Sequence, residues 1–371
     1  MSQHFDVAVI GAGIVGASVA AQLSGTHKVA LIEAEAQAGY HTTGRSAAIW
    51  VLSYGPADVR VLTGLSRPFF KSPPAEIGTD HLAVERPVLF LAPEGEYAEL
   101  DRLLGLKIGV EEISLAQAKA FCPALVEGSI ARAGLERGAF DMDVAALHQY
   151  YLRQMRAHGG QIMLRHRAGR IIRRHDVWQI ETSGGALVEA PIVVNAAGAW
   201  GDEVAQQAGV APLGLVPCRR TAAIIDPAPY EVESWPMVQG IGAQHWYIRT
   251  EARRKLMVTP CDETPDTPHD VQPDALDVAI GIDRMQQRLH IPVQRVEHSW
   301  AGLRTFTPDR SLAFGYDTSV EGFFWAVGQG GYGIQTIPAA SALIAAMVRH
   351  QDPGPAGAIL AAIDPMRFRV P

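Results

Sequence analysis

Three glycines at fixed spacing, in Gly11-Ala12-Gly13-Ile14-Val15-Gly16, are the first residues of this chain suited to hold a charged ligand. The first permits a tight turn, the second lets the backbone approach a diphosphate, and the third packs a helix against a strand. The helix start then offers free N–H groups and a partial positive charge to the phosphates. Glu33 stands 22 positions after Gly11, where its carboxylate can accept both ribose hydroxyls and disfavours a 2′-phosphate. The motif alone leaves an ordinary α/β turn, NAD and FAD open. The run Gly39-Tyr40-His41-Thr42-Thr43-Gly44-Arg45-Ser46-Ala47-Ala48 bears on that choice. Its small and hydroxyl side chains could wrap the phosphates and ribityl chain of a longer cofactor; the alternative is a polar surface loop.

These residues need elements to position them. Residues 5–10 form an apolar strand, 17–23 an apolar helix and 28–32 a second strand, so the glycines sit in the turn of a β-α-β unit. The pattern then predicts helices over 59–70 and 114–121, and a helix over Val144–Ala157 capped by Asp143. Strands are expected at Val88–Ala92, 161–166, 170–174, 177–181 and 188–195, with a helix over 201–208. Hairpin-like pieces at 245–249 and Lys255–Thr259, with a proline- and acid-rich loop over 260–273, suit an antiparallel sheet. Near the end, the strand Phe323–Val327, a glycine turn over 328–333 and a helix over 334–348 mirror the opening unit.

Length and composition set the frame. The 371 residues exceed what one hydrophobic core usually holds, which favours two lobes with a cleft. Residues 1–85, 136–215 and 300–371 are expected to build a nucleotide domain, and 86–135 with 216–299 an inserted second domain. Hydrophobic residues at 48% and charged residues at 19% exclude a disordered chain. A net charge of −7 argues against nucleic acid. Cys122, Cys218 and Cys261 lie far apart, so neither a disulfide framework nor a thiolate zinc site is expected, and a reducing, cytoplasmic setting fits. The thirteen histidines show no ligand-like pairing, and no metal is expected. The uncharged stretch 7–26 carries four glycines and lacks a basic flank, which reads as soluble core rather than a membrane span or signal.

Five ordered motifs resemble the D-amino-acid oxidase superfamily of FAD-dependent oxidoreductases, nearest to bacterial D-amino-acid dehydrogenases of the D-arginine dehydrogenase type. They are Val9-Ile10-Gly11-Ala12-Gly13-Ile14, the run Gly39 to Ala48, Val194-Asn195-Ala196-Ala197-Gly198-Ala199-Trp200, Trp300-Ala301-Gly302-Leu303-Arg304-Thr305-Phe306 and Gly328-Gln329-Gly330-Gly331-Tyr332-Gly333-Ile334-Gln335. The resemblance implies an α/β (α+β) fold: a Rossmann-like domain holding FAD noncovalently, and a substrate domain with an antiparallel sheet over the flavin. It places cofactor contacts at Gly11, Gly13, Ile14, Gly16, Glu33 and Ala34, and at His41, Thr42, Gly44, Arg45, Ser46, Ala47 and Ala48. Ala197 and Gly198 follow, then Gly330, Gly331, Tyr332, Gly333, Ile334 and Gln335. Physically, the 328–333 turn before its helix could face the carbonyl side of the flavin, where negative charge gathers on reduction. No cysteine lies in this turn or near Arg45, which speaks against a thioether-linked flavin.

An amino acid undergoing oxidation needs its carboxylate fixed, and a guanidinium gives bidentate control. By resemblance Arg304 meets that carboxylate, with Arg220 a second positive position; the alternative for either is an ion pair with the protein itself. Tyr54 and Tyr247 match tyrosines that contact the carboxylate or close the site, although a tyrosine is as often core or rim. Gly331 and Gln335 match as well, Gly331 through its carbonyl toward the substrate amino group. Val88 stands where members acting on basic substrates would be expected to carry an acid, and Ile49 where the D-arginine type has a histidine. Both changes point to neutral or hydrophobic D-amino acids, since a buried guanidinium without a carboxylate is costly.

The reaction expected is hydride transfer from Cα of a D-amino acid to flavin N5, giving an imino acid that water converts to a 2-oxo acid and ammonia. No side-chain general base is assigned, and the electron acceptor that reoxidises the flavin is left open. A sarcosine- or glycine-oxidase-like amine oxidase, a 2-hydroxy-acid dehydrogenase and a catalytically dead FAD-binding subunit remain as alternatives.

Overall fold

Val7–Ile10 is apolar at every position because both faces of this strand are covered and all four residues are buried. The computed structural model describes residues 2–79, 82–252 and 254–369. Val7–Ile10 lies inside a six-stranded sheet in the order Gln161–Met163, Val29–Ile32, Val7–Ile10, Ile192–Asn195, Phe323–Val327, Ala313–Tyr316. The first five strands run parallel and the last antiparallel. Alternate residues face opposite layers. Val7, Val9, Val29 and Leu31 pack with the helices Ile14–Ser24, Val144–Ala157 and Gly333–Val348. Ala8, Ile10, Ala30 and Ile32 pack with Ile171, Trp178, Ile180 and Val188 of a four-stranded sheet on the other face.

Val7–Ile10 pairs with Val29–Ile32 on one side and Ile192–Asn195 on the other. The chain reverses its direction of winding between these neighbours, and the crevice at the ends of such strands is where α/β sheets bind ligands.

The large sheet has nine strands, ordered Thr264–Pro265, Val216–Ile225, Lys255–Thr259, Trp246–Glu251, Met237–Gly240, Val88–Ala92, Arg132–Glu136, Val110–Ile113, with Val296–Phe306 along the other edge of Val216–Ile225. It is antiparallel as expected, except where Met237–Gly240 and Val88–Ala92 run parallel. Val296–Phe306 continues through residues 299 and 300 without a break. Within the sequence expectations two details differ. The strand expected over 188–195 is two strands, Leu187–Ala190 and Ile192–Asn195, belonging to different sheets; Pro191 between them has no N–H to continue a ladder. The strand expected over 161–166 ends at Met163, ahead of Arg165 at φ 61. The helices Ala98–Gly105 and Ala275–Gln286 carry no expectation from the pattern. Among the described residues no helix is long and apolar enough to cross a membrane.

Candidate active site

The glycine turn lies between Val7–Ile10 and the helix Ile14–Ser24. Gly11 adopts φ +99, a conformation that side chains resist, and a Cβ there would meet the Ala196 carbonyl oxygen at 2.6 Å. At Gly16 a Cβ would stand 1.8 Å from the Gly11 oxygen, so this residue serves packing. Gly13 is different: its Cβ position is free except for Thr43 Oγ1 at 3.2 Å, and it lines a cleft. The Ile14 N–H donates to Thr43 Oγ1 (2.9 Å) and the Ala12 N–H to Glu33 Oε2 (2.8 Å). Both Gly13 and Val15 line the cleft, and their N–H groups, in the first helical turn, are free of the bonds that engage Ala12 and Ile14. Glu33 also accepts from the Glu35 N–H at 2.9 Å, which fixes its carboxylate at the cleft wall. Behind the turn, buried His148 sets Nε2 3.0 Å from the Ala12 carbonyl oxygen. Burial pulls the His148 pKa down, with the Ala12 hydrogen bond acting against it, so the imidazole is neutral and its N–H donates to Ala12.

The cleft, about 1660 Å³ when the open solvent at its mouth is counted, runs from the first glycine turn to Arg304 and the C-terminal glycine turn. Of the residues expected to hold the cofactor, Gly11, Gly13, Ile14, Glu33, Ala34 and His41 line it, as do Thr42, Arg45, Ser46, Ala47, Ala197 and Gly198. Gly330, Gly331, Gly333 and Ile334 line it from the C-terminal turn. Gly16, Gly44, Ala48, Tyr332 and Gln335 do not. Gly44 packs on the Gly39 carbonyl, and the Ala48 carbonyl accepts from Arg249 Nη1 at 3.0 Å. Tyr332 is buried against Tyr54 and Phe306.

Several side chains in the 39–48 run serve the protein itself. Arg45 donates to the carbonyls of Val271 (3.0 Å) and Ala301 (3.1 Å) and pairs with Asp270, which also accepts from the Tyr40 hydroxyl. Thr42 Oγ1 donates to the Leu303 carbonyl at 2.7 Å, and His41 bonds Glu35 at 3.0 Å beside the Trp200 ring. Loop and large sheet are thereby clasped together.

Arg304 projects from Val296–Phe306 into the cleft. Its Nη1 donates to the Tyr54 hydroxyl at 3.2 Å, and among the described residues no carboxylate lies within 4 Å of it. Arg220 also lines the cleft, yet its charge is met: Nε donates to the Asp262 carbonyl at 2.7 Å and Nη2 to Glu263 at 3.1 Å. Tyr247 is buried on the cleft wall. Burial raises its phenol pKa, with Arg304 and Arg220 pulling the other way, so it is a neutral hydrogen-bond donor. Gln335, expected at the substrate, turns inward: its Nε2 donates to Thr63 Oγ1 at 2.8 Å and its Oε1 accepts from the Val51 N–H at 3.3 Å. Val88 is fully buried in an apolar cluster with Tyr247, Ala222 and Met257, and Ile49, Tyr54 and Trp300 pack against that cluster.

Three further residues, Thr43, Trp300 and Asp270, shape the site without standing among the expected ones. Thr43 lies in the quoted run, and its hydroxyl next to Gly44 was the available signal. Trp300 anchors its Nε1 on the Arg45 carbonyl at 3.0 Å, and Asp270 holds Arg45. These depend on contacts between distant segments. Among the described residues no group of three His, Cys, Asp or Glu side chains is arranged to hold a metal.

Two glycine turns that each open a helix, close together where Gly333 nears Ile14, and the Glu33 carboxylate on the cleft wall are groups suited to FAD. Fold and site together define a flavin-dependent oxidoreductase. Residues 6–347 match the DAO family of FAD dependent oxidoreductases, and the chain belongs to that family. FAD-dependent oxidoreductase domain-containing protein 1 of Bos taurus is 29% identical over 181 residues, 43% of this chain and 36% of the relative. The match thus spans about a third of the curated relative's length. The fold is similar to L-proline dehydrogenase from P. horikoshii (TM-score 0.83, 20% identity, 99% of this chain and 98% of that one). It is also similar to glycine oxidase from Geobacillus kaustophilus (TM-score 0.83, 22% identity, 95% and 96%).

Proposed function

We propose that this protein oxidises D-amino acids with neutral or apolar side chains to imino acids, which water converts to 2-oxo acids and ammonia. The observation that carries the reading is the Arg304 guanidinium, which lines the cleft beside the C-terminal glycine turn with a phenol as its side-chain partner and, among the described residues, no carboxylate within 4 Å. A cation held this way suits a substrate carboxylate. The D configuration rests on the sequence resemblance.

When bound, FAD, held noncovalently, supplies a two-electron acceptor for the Cα–H bond. Arg304 and the Tyr54 hydroxyl fix the carboxylate, and the buried Tyr247 ring excludes water while its neutral O–H donates. The Gly331 carbonyl receives the substrate amino group. The amino proton leaves to solvent, so kcat/KM rises with pH as the substrate deprotonates. In this reading residues 1–85, 136–215 and 300–371 hold the cofactor, and 86–135 with 216–299 shape the substrate side.

Support for an apolar side chain comes from Ala222, Tyr247 and Trp300, which line the cleft; Val88, Met257 and Ile49 do not line it and belong to the apolar cluster these three share. The buried acid beside this cluster, Glu136, holds the Leu52 N–H at 2.8 Å through Oε1, and although its Oε2 has no hydrogen-bond partner it does not line the cleft; Glu263 and Asp262 are engaged with Arg220. A basic substrate would lack a free carboxylate there. Likeness to the D-arginine dehydrogenase type therefore extends to the chemistry and not to the side chain accepted.

The test is anaerobic mixing of the flavoprotein with D- and L-amino acids, sarcosine, glycine and 2-hydroxy acids while flavin absorbance is followed. Reduction by D-Leu or D-Phe with higher kcat/KM than by D-Arg is expected. Preference for D-Arg overturns the side-chain assignment. Reduction by sarcosine or glycine alone, or by hydroxy acids alone, moves the protein to another reaction class, and no reduction by any of them makes it a binding subunit.

A further inference from the structure

The turn that carries Tyr54 is held from two sides. Its own closure is the Tyr54 N–H to the Val51 carbonyl at 3.3 Å. Gln335, in the first turn of the C-terminal helix, accepts from the Val51 N–H. From the large sheet, Glu136 accepts from the Leu52 N–H at 2.8 Å. Glu136 ends the strand Arg132–Glu136 and is 2% exposed. Burial raises its pKa, with Ser53 and the Leu52 N–H acting the other way. A buried carboxyl is retained at a cost unless its hydrogen bonds do something, and no step of the proposed reaction uses it.

We infer that Glu136 is a positioning residue for substrate binding: it fixes the 51–54 turn so that the Tyr54 hydroxyl meets the Arg304 guanidinium and both receive one carboxylate. The inference rests on the carboxylate reading of Arg304 given above. The Tyr54 to Arg304 contact is 3.2 Å long, so a shift of the turn by about 1 Å takes it out of hydrogen-bonding range. Glu136 reaches the turn from the large sheet and Gln335 from the C-terminal helix, so neither restraint substitutes for the other.

The experiment uses the flavin-loaded full chain and 4-methyl-2-oxopentanoate, a 2-oxo acid with an apolar side chain, with Kd read from perturbation of flavin absorbance. In Glu136→Ala, Kd is expected to rise about tenfold while kcat at saturating D-Leu falls less than about threefold. Glu136→Gln keeps an oxygen for the Leu52 N–H and should stay within about twofold of the parent. The double variant Glu136→Ala with Tyr54→Phe should bind no more weakly than Tyr54→Phe alone, as for two residues acting through one contact. Unchanged binding in Glu136→Ala, additivity with Tyr54→Phe, or Glu136→Gln as weak as Glu136→Ala overturns the inference. Should Glu136→Ala not fold, Glu136→Asp replaces it: weaker binding than in Glu136→Gln supports the inference, and equal binding overturns it. If none of these variants retains flavin, Glu136 is a determinant of the whole core and the inference falls. A parent protein that binds no 2-oxo acid removes the carboxylate reading itself, a result distinct from a parent that binds and a variant that binds equally well.

Discussion

A Cβ on Gly331 would stand 2.8 Å from Nη1 of Arg304, and the same atom would stand 2.6 Å from the Tyr54 hydroxyl. Both neighbours are the far ends of side chains that can move aside, so the fold tolerates a methyl group there. The site does not, because those two ends are the groups assigned to the substrate carboxylate. Gly331→Ala is expected to keep its flavin and melt within a few degrees of the parent, yet lose roughly 100-fold or more in kcat/KM for D-Leu. Steady-state kinetics alongside a thermal melt checks it; full activity would remove Gly331 and its neighbours from the site.

The two arginines of the cleft separate by their partners. Arg304 has a phenol and Arg220 has Glu263 and the Asp262 carbonyl. Arg304→Met should cost about 2–5 kcal/mol of transition-state binding, roughly 30- to several-thousand-fold in kcat/KM, because a desolvated carboxylate loses its counter-charge. Arg220→Met should cost less than about tenfold, since its charge already serves the protein. Equal losses in the two variants would show that both guanidiniums reach the substrate.

Gly11→Ala meets backbone rather than a movable side chain: the Ala196 carbonyl oxygen at 2.6 Å, from a residue at φ +99. The conformation alone costs about 1–2 kcal/mol, and the contact adds to it by prying the turn from the strand end. Flavin content per chain, measured after denaturation, should fall well below one, with a lower melting temperature. A stoichiometric flavin complex in this variant would contradict the placement of the diphosphate at this turn.

His148 makes a stability prediction with a definite sign. Burial lowers its folded pKa below the ordinary 6.5. Above that pH both folded and unfolded chains carry it neutral, and its contribution is whole. As pH falls through 6.5 the unfolded chain takes up a proton that the folded chain refuses, so stability declines. His148→Gln, which can still donate to the Ala12 carbonyl, should flatten the fall in melting temperature between pH 7.5 and 5. An unchanged slope would mean that the imidazole is not held neutral.

What the sequence made legible was local. The β-α-β unit could be read because its glycines, strand and acid fall within 33 residues, and the C-terminal turn because four glycines crowd into six positions. What stayed hidden depends on segments far apart in the chain. Arg45 has the charge of a phosphate ligand, and only the fold shows it committed to Asp270, Val271 and Ala301. Gln335 sits in the expected glycine-rich motif, but its place in the first helical turn aims it at Thr63 and Val51. Glu136 ends the strand Arg132–Glu136 with no motif around it, and its partner lies 84 positions away. The strand expected over 188–195 failed for a simpler reason: hydropathy runs through Pro191, while the hydrogen-bond ladder does not.

The strand Val296–Phe306 pairs along nearly its whole length with Val216–Ile225, and close to its end the Thr305 carbonyl accepts from the Gly330 N–H at 2.8 Å. It is a single rod joining the broad sheet to the loop beside the nucleotide fold. Any swing of the sheet away from that loop has to break the Gly330 bond or bend the end of the rod.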